Sequence, residues 1–182
     1  MSVLGFEAAR LYTVEEMPDY EGKLELVDGR LEVSPPAQWR HAKVATIVTK
    51  VLDEHLSDEY FPGAELGVQL DTRNYRQPDV LVARRDVEPE GKWLAPTDVL
   101  LAVEVVSESS LTVDRITKPA QYARAGIGAF WRIETDPAVA LTAYALDPGA
   151  DVYTELGTWT AGEAVTLERP WPLSFDLDTL GA

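Results

Sequence analysis

From Asp98 to Val106 the chain is almost unbroken Val, Leu and Ala, the composition of a strand covered on both faces. One acid, Glu104, stands near the end of that run. Upstream, Gln77-Pro78-Asp79-Val80-Leu81-Val82-Ala83 repeats the pattern, with an acid opening a second apolar strand. Both acids are expensive among such neighbours unless a cation or several donors meet them. After the Glu104 strand, a polar stretch leads to Thr112, which can cap a helix closed by Gly126.

The rest of the pattern supplies the remaining elements. Thr13-Val14-Glu15-Glu16 has the form of a capping box, so a short helix is expected there, ending near Pro18. Leu24–Val27 and Arg30–Val33 alternate apolar and polar residues around Asp28-Gly29, a hairpin signal. Gln38 to Leu56 reads as the clearest helix, with Val44, Ile47, Val48, Val51, Leu52 and Leu56 on one stripe and His41 one turn earlier. Pro62-Gly63 is expected to break the chain before a strand from Glu65 to Asp71, and Asp86–Pro96 reads as a polar loop. Ala129–Glu134, Val139–Leu146, Asp151–Leu156 and Glu163–Glu168 read as strands, with Trp171 and Phe175 of the tail packed on the body. The order predicts an α+β fold, a mixed sheet with few helices and a C-terminal meander.

Composition narrows this little. The 182 residues, 46% hydrophobic and 26% charged, suit one domain spanning 1–182. No run reaches the roughly 20 apolar residues of a membrane span. The first residues lack the basic start and apolar centre of a signal peptide, so the expectation is a cytoplasmic protein with no membrane partner. The absence of cysteine excludes disulfides and thiolate chemistry.

Charge matters more. A net charge of −15 argues against a general duplex binder, which needs concentrated positive surface. It leaves room for an enzyme with a local basic cleft and bound metal. Arg73, Arg76, Arg84 and Arg85 flank the Asp79 strand, and Arg115, Lys118 and Arg124 follow the Glu104 strand.

Asp79 and Glu104 on neighbouring strands, with Lys118 on the next element, suggest a site for Mg²⁺ or Mn²⁺. Hard cations take oxygen ligands, typically one or two carboxylates completed by water and substrate phosphate. Such an ion activates water and offsets charge on a scissile phosphate, and Lys118 could add to that. The plainer reading is that strand-end acids and helical lysines face water. Asp114, Lys118 and Tyr122 fall at steps of four, so Asp114 and Lys118 could equally be a surface ion pair. His41 could contact phosphate or a metal-bound water, or simply cap and pack. Gln77 could order a water or a ligand, or merely precede a strand. Trp93, Trp159 and Trp171 read as packing residues.

Several motifs occur in a telling order: Glu25-Leu26-Val27-Asp28-Gly29, Ser34-Pro35-Pro36, Arg40-His41, Gln77-Pro78-Asp79-Val80, Glu104-Val105-Val106-Ser107, Asp114 with Lys118, Tyr122-Ala123-Arg124-Ala125-Gly126, and Trp131. Over Thr13–Tyr144 the chain resembles the Uma-two family of putative restriction endonucleases, within the PD-(D/E)xK nuclease superfamily. The resemblance implies a restriction-endonuclease-like fold and metal-dependent hydrolysis of DNA phosphodiesters. It assigns the metal to Asp79 and Glu104, and adds Glu25 as a further acid of the site. In the superfamily pattern the lysine stands where this chain has Val106, so that role passes to Lys118. Ser107-Glu108-Ser109 departs from the family's Ser-Pro-Ser and brings another acid. Pro119 disfavours α geometry at Lys118, predicting a kink or a helix that begins at Pro119. Ala129-Phe130-Trp131 replaces a more usual Tyr-Trp. Fold analogy adds a homodimer. Two rivals are a catalytically silent binding module and a small-molecule phosphodiesterase.

Overall fold

The computed structural model describes residues 10–87, 93–107 and 110–181. Its hairpin forms as the alternation demands. Strand β1 (Leu24–Val27) pairs antiparallel with β2 (Arg30–Val33), and Asp28 and Gly29 take the positive φ values, 49° and 79°, that the two-residue turn requires. Helix α1 (Trp39–Asp53) buries Val44, Val48, Val51 and Leu52 and ends a turn earlier than the apolar stripe suggested.

Strand β3 (Tyr60–Ala64) runs straight through Pro62-Gly63, where a break was expected. It can do so because β3 is the edge of its sheet, where a residue without an N–H leaves no ladder donor missing. The next strand, β4, is shorter than predicted (Val68–Asp71). Glu65 sits at φ 55°, and a side chain on Gly67 would collide with the Tyr75 ring. The short β5 (Asn74–Arg76), absent from the sequence reading, follows a tight turn in which Asp71 accepts from the Arg73 amide and the Asn74 side chain.

Strands β6 (Val80–Arg84) and β7 (Val99–Val106) pair antiparallel at the centre of a six-stranded sheet. Next come α2 (Lys118–Ala125), β8 (Ala129–Glu134), β9 (Ala140–Leu146) and β10 (Tyr153–Thr160). The sheet order is β10-β9-β8-β7-β6-β3, antiparallel except for β7 with β8, which α2 connects. β1, β2, β5 and β4 form a second sheet, and β11 (Ala164–Leu167) with β12 (Leu173–Asp176) a third. Thus β10 continues past Leu156, and the tail contributes a strand as well as packing: Trp171 and Phe175 lie on the main core.

The central strands alternate between two layers. Val82, Val103, Val105 and Ile133 pack under α1, while Leu81, Ala102 and Phe130 pack with Tyr122 of α2. Trp159 joins the first layer, and Trp93 packs edge-on to Tyr75 with ring centres 5.5 Å apart, so all three tryptophans assigned to packing do pack. No helix among the described residues is long and apolar enough to cross a membrane.

The helix expected from Thr112 to Gly126 is split. Val113–Thr117 is a π-helical turn, and the α-helix proper starts at Lys118 and closes on Gly126 at φ 87°. Lys118 itself is α-helical (φ −62°, ψ −48°), against the expectation from its proline neighbour. Pro119 lies in the first turn of α2, where its missing N–H costs nothing, and the wider π turn precedes it. The loop acid Glu108, residues 88–92 of the proline-bearing loop and the first nine residues lie outside the described residues.

Candidate active site

Extending the β6–β7 register (Val80 opposite Val103) sets Asp79 opposite Glu104. Directly opposed residues on an antiparallel pair share a face. Glu104 falls in step with Ala102, on the side where α2 packs, and is fully buried. Its Oε2 accepts from the Lys118 ammonium at 2.7 Å and its Oε1 from the Tyr122 hydroxyl at 2.6 Å. Asp79 stands at the mouth of β6, where several elements converge. Its Oδ2 accepts from the Val105 amide (2.8 Å) and from His41 Nε2 (2.9 Å), and its Oδ1 accepts from Lys23 (2.8 Å).

Lys118 is the hub. Its ammonium, 4% exposed as a residue, lies 2.7 Å from Glu104, 3.0 Å from Asp114 and 4.0 Å from Glu25. Asp114 is therefore no surface partner: it is buried, carried inward by the π turn. Tyr122, one turn on, completes the face. Glu25 lies deeper in a polar cluster, with Oε2 on Arg76 (2.9 Å) and Oε1 on the Gln77 amide (2.9 Å). Arg76, also buried, donates its Nε to Gln121 of α2. The Gln77 side chain points elsewhere, to the carbonyl of Glu65, where it braces the strained turn.

These contacts shape the titrations. Burial alone would raise the Asp79 pKa, but the His41 hydrogen bond and the Lys23 charge outweigh it and hold Asp79 well below the usual carboxylate range. Burial works on Glu25 the same way and is again overcome, by Lys118 and Arg76. In Glu104 burial wins: despite Lys118, its pKa is pushed up to about 7, and the neighbouring Asp79 charge adds to the rise. The Asp79 hydrogen bond raises His41. Burial opposes the charge on Lys118 and Lys23, yet the surrounding carboxylates raise both.

Does this donor set fit Mg²⁺ or Mn²⁺? Two carboxylates facing one another are the right chemistry for a hard cation. No three Asp, Glu or His side chains converge as a ready-made cage among the described residues. An ion here would rely on Asp79 and Glu104, with water and substrate oxygens filling its shell. Lys23 would also have to leave Asp79 Oδ1, and Lys118 loosen from Glu104 Oε2. His41 Nδ1 is buried without a partner, so the His41 ring has hydrogen-bonding capacity to spare beside Asp79.

Sequence reasoning missed Lys23. The signal was present: Lys23 and Glu25 are two apart, so the alternation of β1 sends both to one side. The basic residues that flank the two strands in the sequence do not all gather at the site. Arg84, at the far end of β6, is paired with Asp86, Arg85 with the carbonyls of Asp58 and Tyr60, and Arg115 with Glu134; of that set only Arg76 and Lys118 reach the site.

Comparison with known proteins agrees with this architecture. A crystal structure described as a putative nuclease belonging to DUF820, from Anabaena variabilis ATCC 29413, is similar with a TM-score of 0.68. The match covers 91% of this chain and 93% of that one, at 16% identity, and bears out the restriction-endonuclease-like α+β fold. No curated protein matches the chain. The family described as "Putative restriction endonuclease" matches residues 11–179, nearly the whole sequence. The chain belongs to that family, Uma2.

Proposed function

We propose that the protein is a Mg²⁺- or Mn²⁺-dependent endonuclease that hydrolyses DNA phosphodiester bonds. One observation carries the reading: two buried acids, Asp79 and Glu104, oppose each other on adjacent strands, and a buried lysine ammonium lies 2.7 Å from one of them. Family membership supports nuclease chemistry; the metal and the substrate are the inference.

In this reading Asp79 and Glu104 hold the ion. When bound, it would lower the pKa of a coordinated water and offset charge on the scissile phosphate. The protein's own groups do the remaining work. The Val105 amide and His41 fix the Asp79 carboxylate in one orientation. Tyr122 does the same for Glu104. Lys118, whose charged form the surrounding carboxylates favour against burial, offers a positive charge beside the strand acids, where it can face a phosphate oxygen. Asp114 and Glu25 position that ammonium. Lys23, once off Asp79, is a second cation for the phosphate. Hydrolysis adds water across one P–O bond: the phosphorus gains a hydroxyl oxygen and the departing oxygen takes a proton. A homodimer presenting two sites to two strands belongs to this reading by fold analogy alone.

One observation favours a catalytically silent binding module instead: each strand acid already meets an internal ammonium. Supercoiled-plasmid nicking in Mg²⁺ decides between them. The nuclease reading expects nicking that EDTA, Asp79→Asn and Lys118→Met each abolish. A wild type that leaves the plasmid intact, or one that cleaves only a small chromogenic diester, would overturn it.

A further inference from the structure

Large apolar side chains lie exposed on the segments that carry the site residues. Trp39, the first residue of α1 and two before His41, is 82% exposed. Ile116, between Asp114 and Lys118 in the π turn, is 66% exposed, and Leu111, just after the Glu104 strand, is also exposed. Each belongs to a segment whose inward residues build the site. Beside Trp39, the outward side of α1 bears Arg40 and Lys43, both exposed and neither hydrogen-bonded nor ion-paired among the described residues. Trp39 and Lys43 are four apart and Arg40 and Lys43 three apart, so they make one patch.

A chain of net charge −15 cannot wrap a duplex in positive surface, and Arg84, Arg85 and Arg115 are paired with its own acids and carbonyls. Affinity must come from a term that charge does not set. Stacking of unpaired bases on exposed aromatic rings is such a term. In a duplex the base faces are covered; in a single strand they are free.

We propose that Trp39, with Arg40 and Lys43 beside it, is the footing for an unpaired nucleic-acid segment next to the scissile phosphate. The bases stack on Trp39 while Arg40 and Lys43 meet backbone phosphates. This rests on the nuclease reading for the position of the phosphate, but its test needs no cleavage. The experiment is fluorescence anisotropy of a labelled single-stranded oligonucleotide, and of the same sequence as a blunt duplex, with metal chelated. Trp39→Ala should weaken single-strand binding by about tenfold, the equivalent of 1.4 kcal/mol, and leave the weaker duplex binding unchanged. Trp39→Phe should retain most of the affinity. Val152→Ala is the control, a residue 70% exposed that follows β9 at the opposite end of the sheet. Arg40→Ala with Lys43→Ala should flatten the salt dependence. Unchanged single-strand binding in Trp39→Ala overturns the proposal, as does an equal loss on duplex. So does sedimentation showing that Trp39 instead holds two copies of the chain together. If Trp39-dependent binding holds while plasmid is never nicked, the footing stands and the nuclease reading falls; nicking without Trp39 dependence is the reverse.

Discussion

Glu104 is the strand acid whose titration burial raises, and its pH behaviour is directly measurable. Its carboxyl titrates near 4.5 when free and is pushed to about 7 when folded. The folded state therefore binds the proton more tightly between those values, and stability falls as pH rises through that window. Asp79 and Glu25 have the opposite sign, but their stabilising effect is complete once pH exceeds the unfolded carboxylate range. His41, raised by Asp79, adds a loss only as pH rises beyond about 6.5. The urea midpoint should therefore decline from pH 5 to pH 7, and Glu104→Gln should remove most of that decline. An unchanged slope in the variant would contradict this assignment. Lys23 gives a second test at the same scale. It competes with any cation for Asp79 Oδ1, and Asp79 keeps His41 and the Val105 amide without it. Lys23→Met should bind Mn²⁺ more tightly, on the order of tenfold, while cleaving more slowly. Calorimetry showing weaker binding would refute the competition. Asp79, Glu104 and Lys118 could be read from the chain because acids in apolar strands demand a cation. Lys23 could not be picked out as readily, because a lysine beside a strand is ordinarily a solvated charge.

Among elements, the hairpin, α1 and the two central strands were legible because each has a clear period and a turn residue at its end. β3 was not, since Pro62 reads as a breaker unless the strand is known to be an edge. Nor was β5: three residues carry no period, and its pairing with β4 comes from the Asp71 turn. The π turn before α2 was invisible for a similar reason, although Pro119 marked its place. That turn brings Asp114 to within 3.0 Å of Lys118. Pro119→Ala restores an N–H donor and permits a regular helix. The variant should lose nicking through a misplaced Asp114–Lys118 pair, and some unfolding stability with that buried pair. Retained nicking would show that the turn is incidental. Arg76 links β5 to α2 and offsets Glu25. Removing one partner of a buried pair costs about 3–5 kcal/mol, so Arg76→Ala should lower unfolding stability by that order in chemical denaturation. A loss below 1 kcal/mol would mean that water reaches Glu25.

Across the whole molecule, strongly negative surroundings enclose a nearly balanced site: Glu25, Asp79, Glu104 and Asp114 meet Lys23, Arg76, Lys118 and His41. That balance explains how four acids can be buried together, since each has a cation within reach. It also gives the central claim a sharp form, because a divalent ion must enter a site already compensated from within. Mn²⁺ titration calorimetry on the wild type, Asp79→Asn and Glu104→Gln tests this most directly. The metal-site reading predicts a binding event in the wild type that weakens at least about tenfold in each variant. No binding in the wild type, or equal binding in all three, would contradict it.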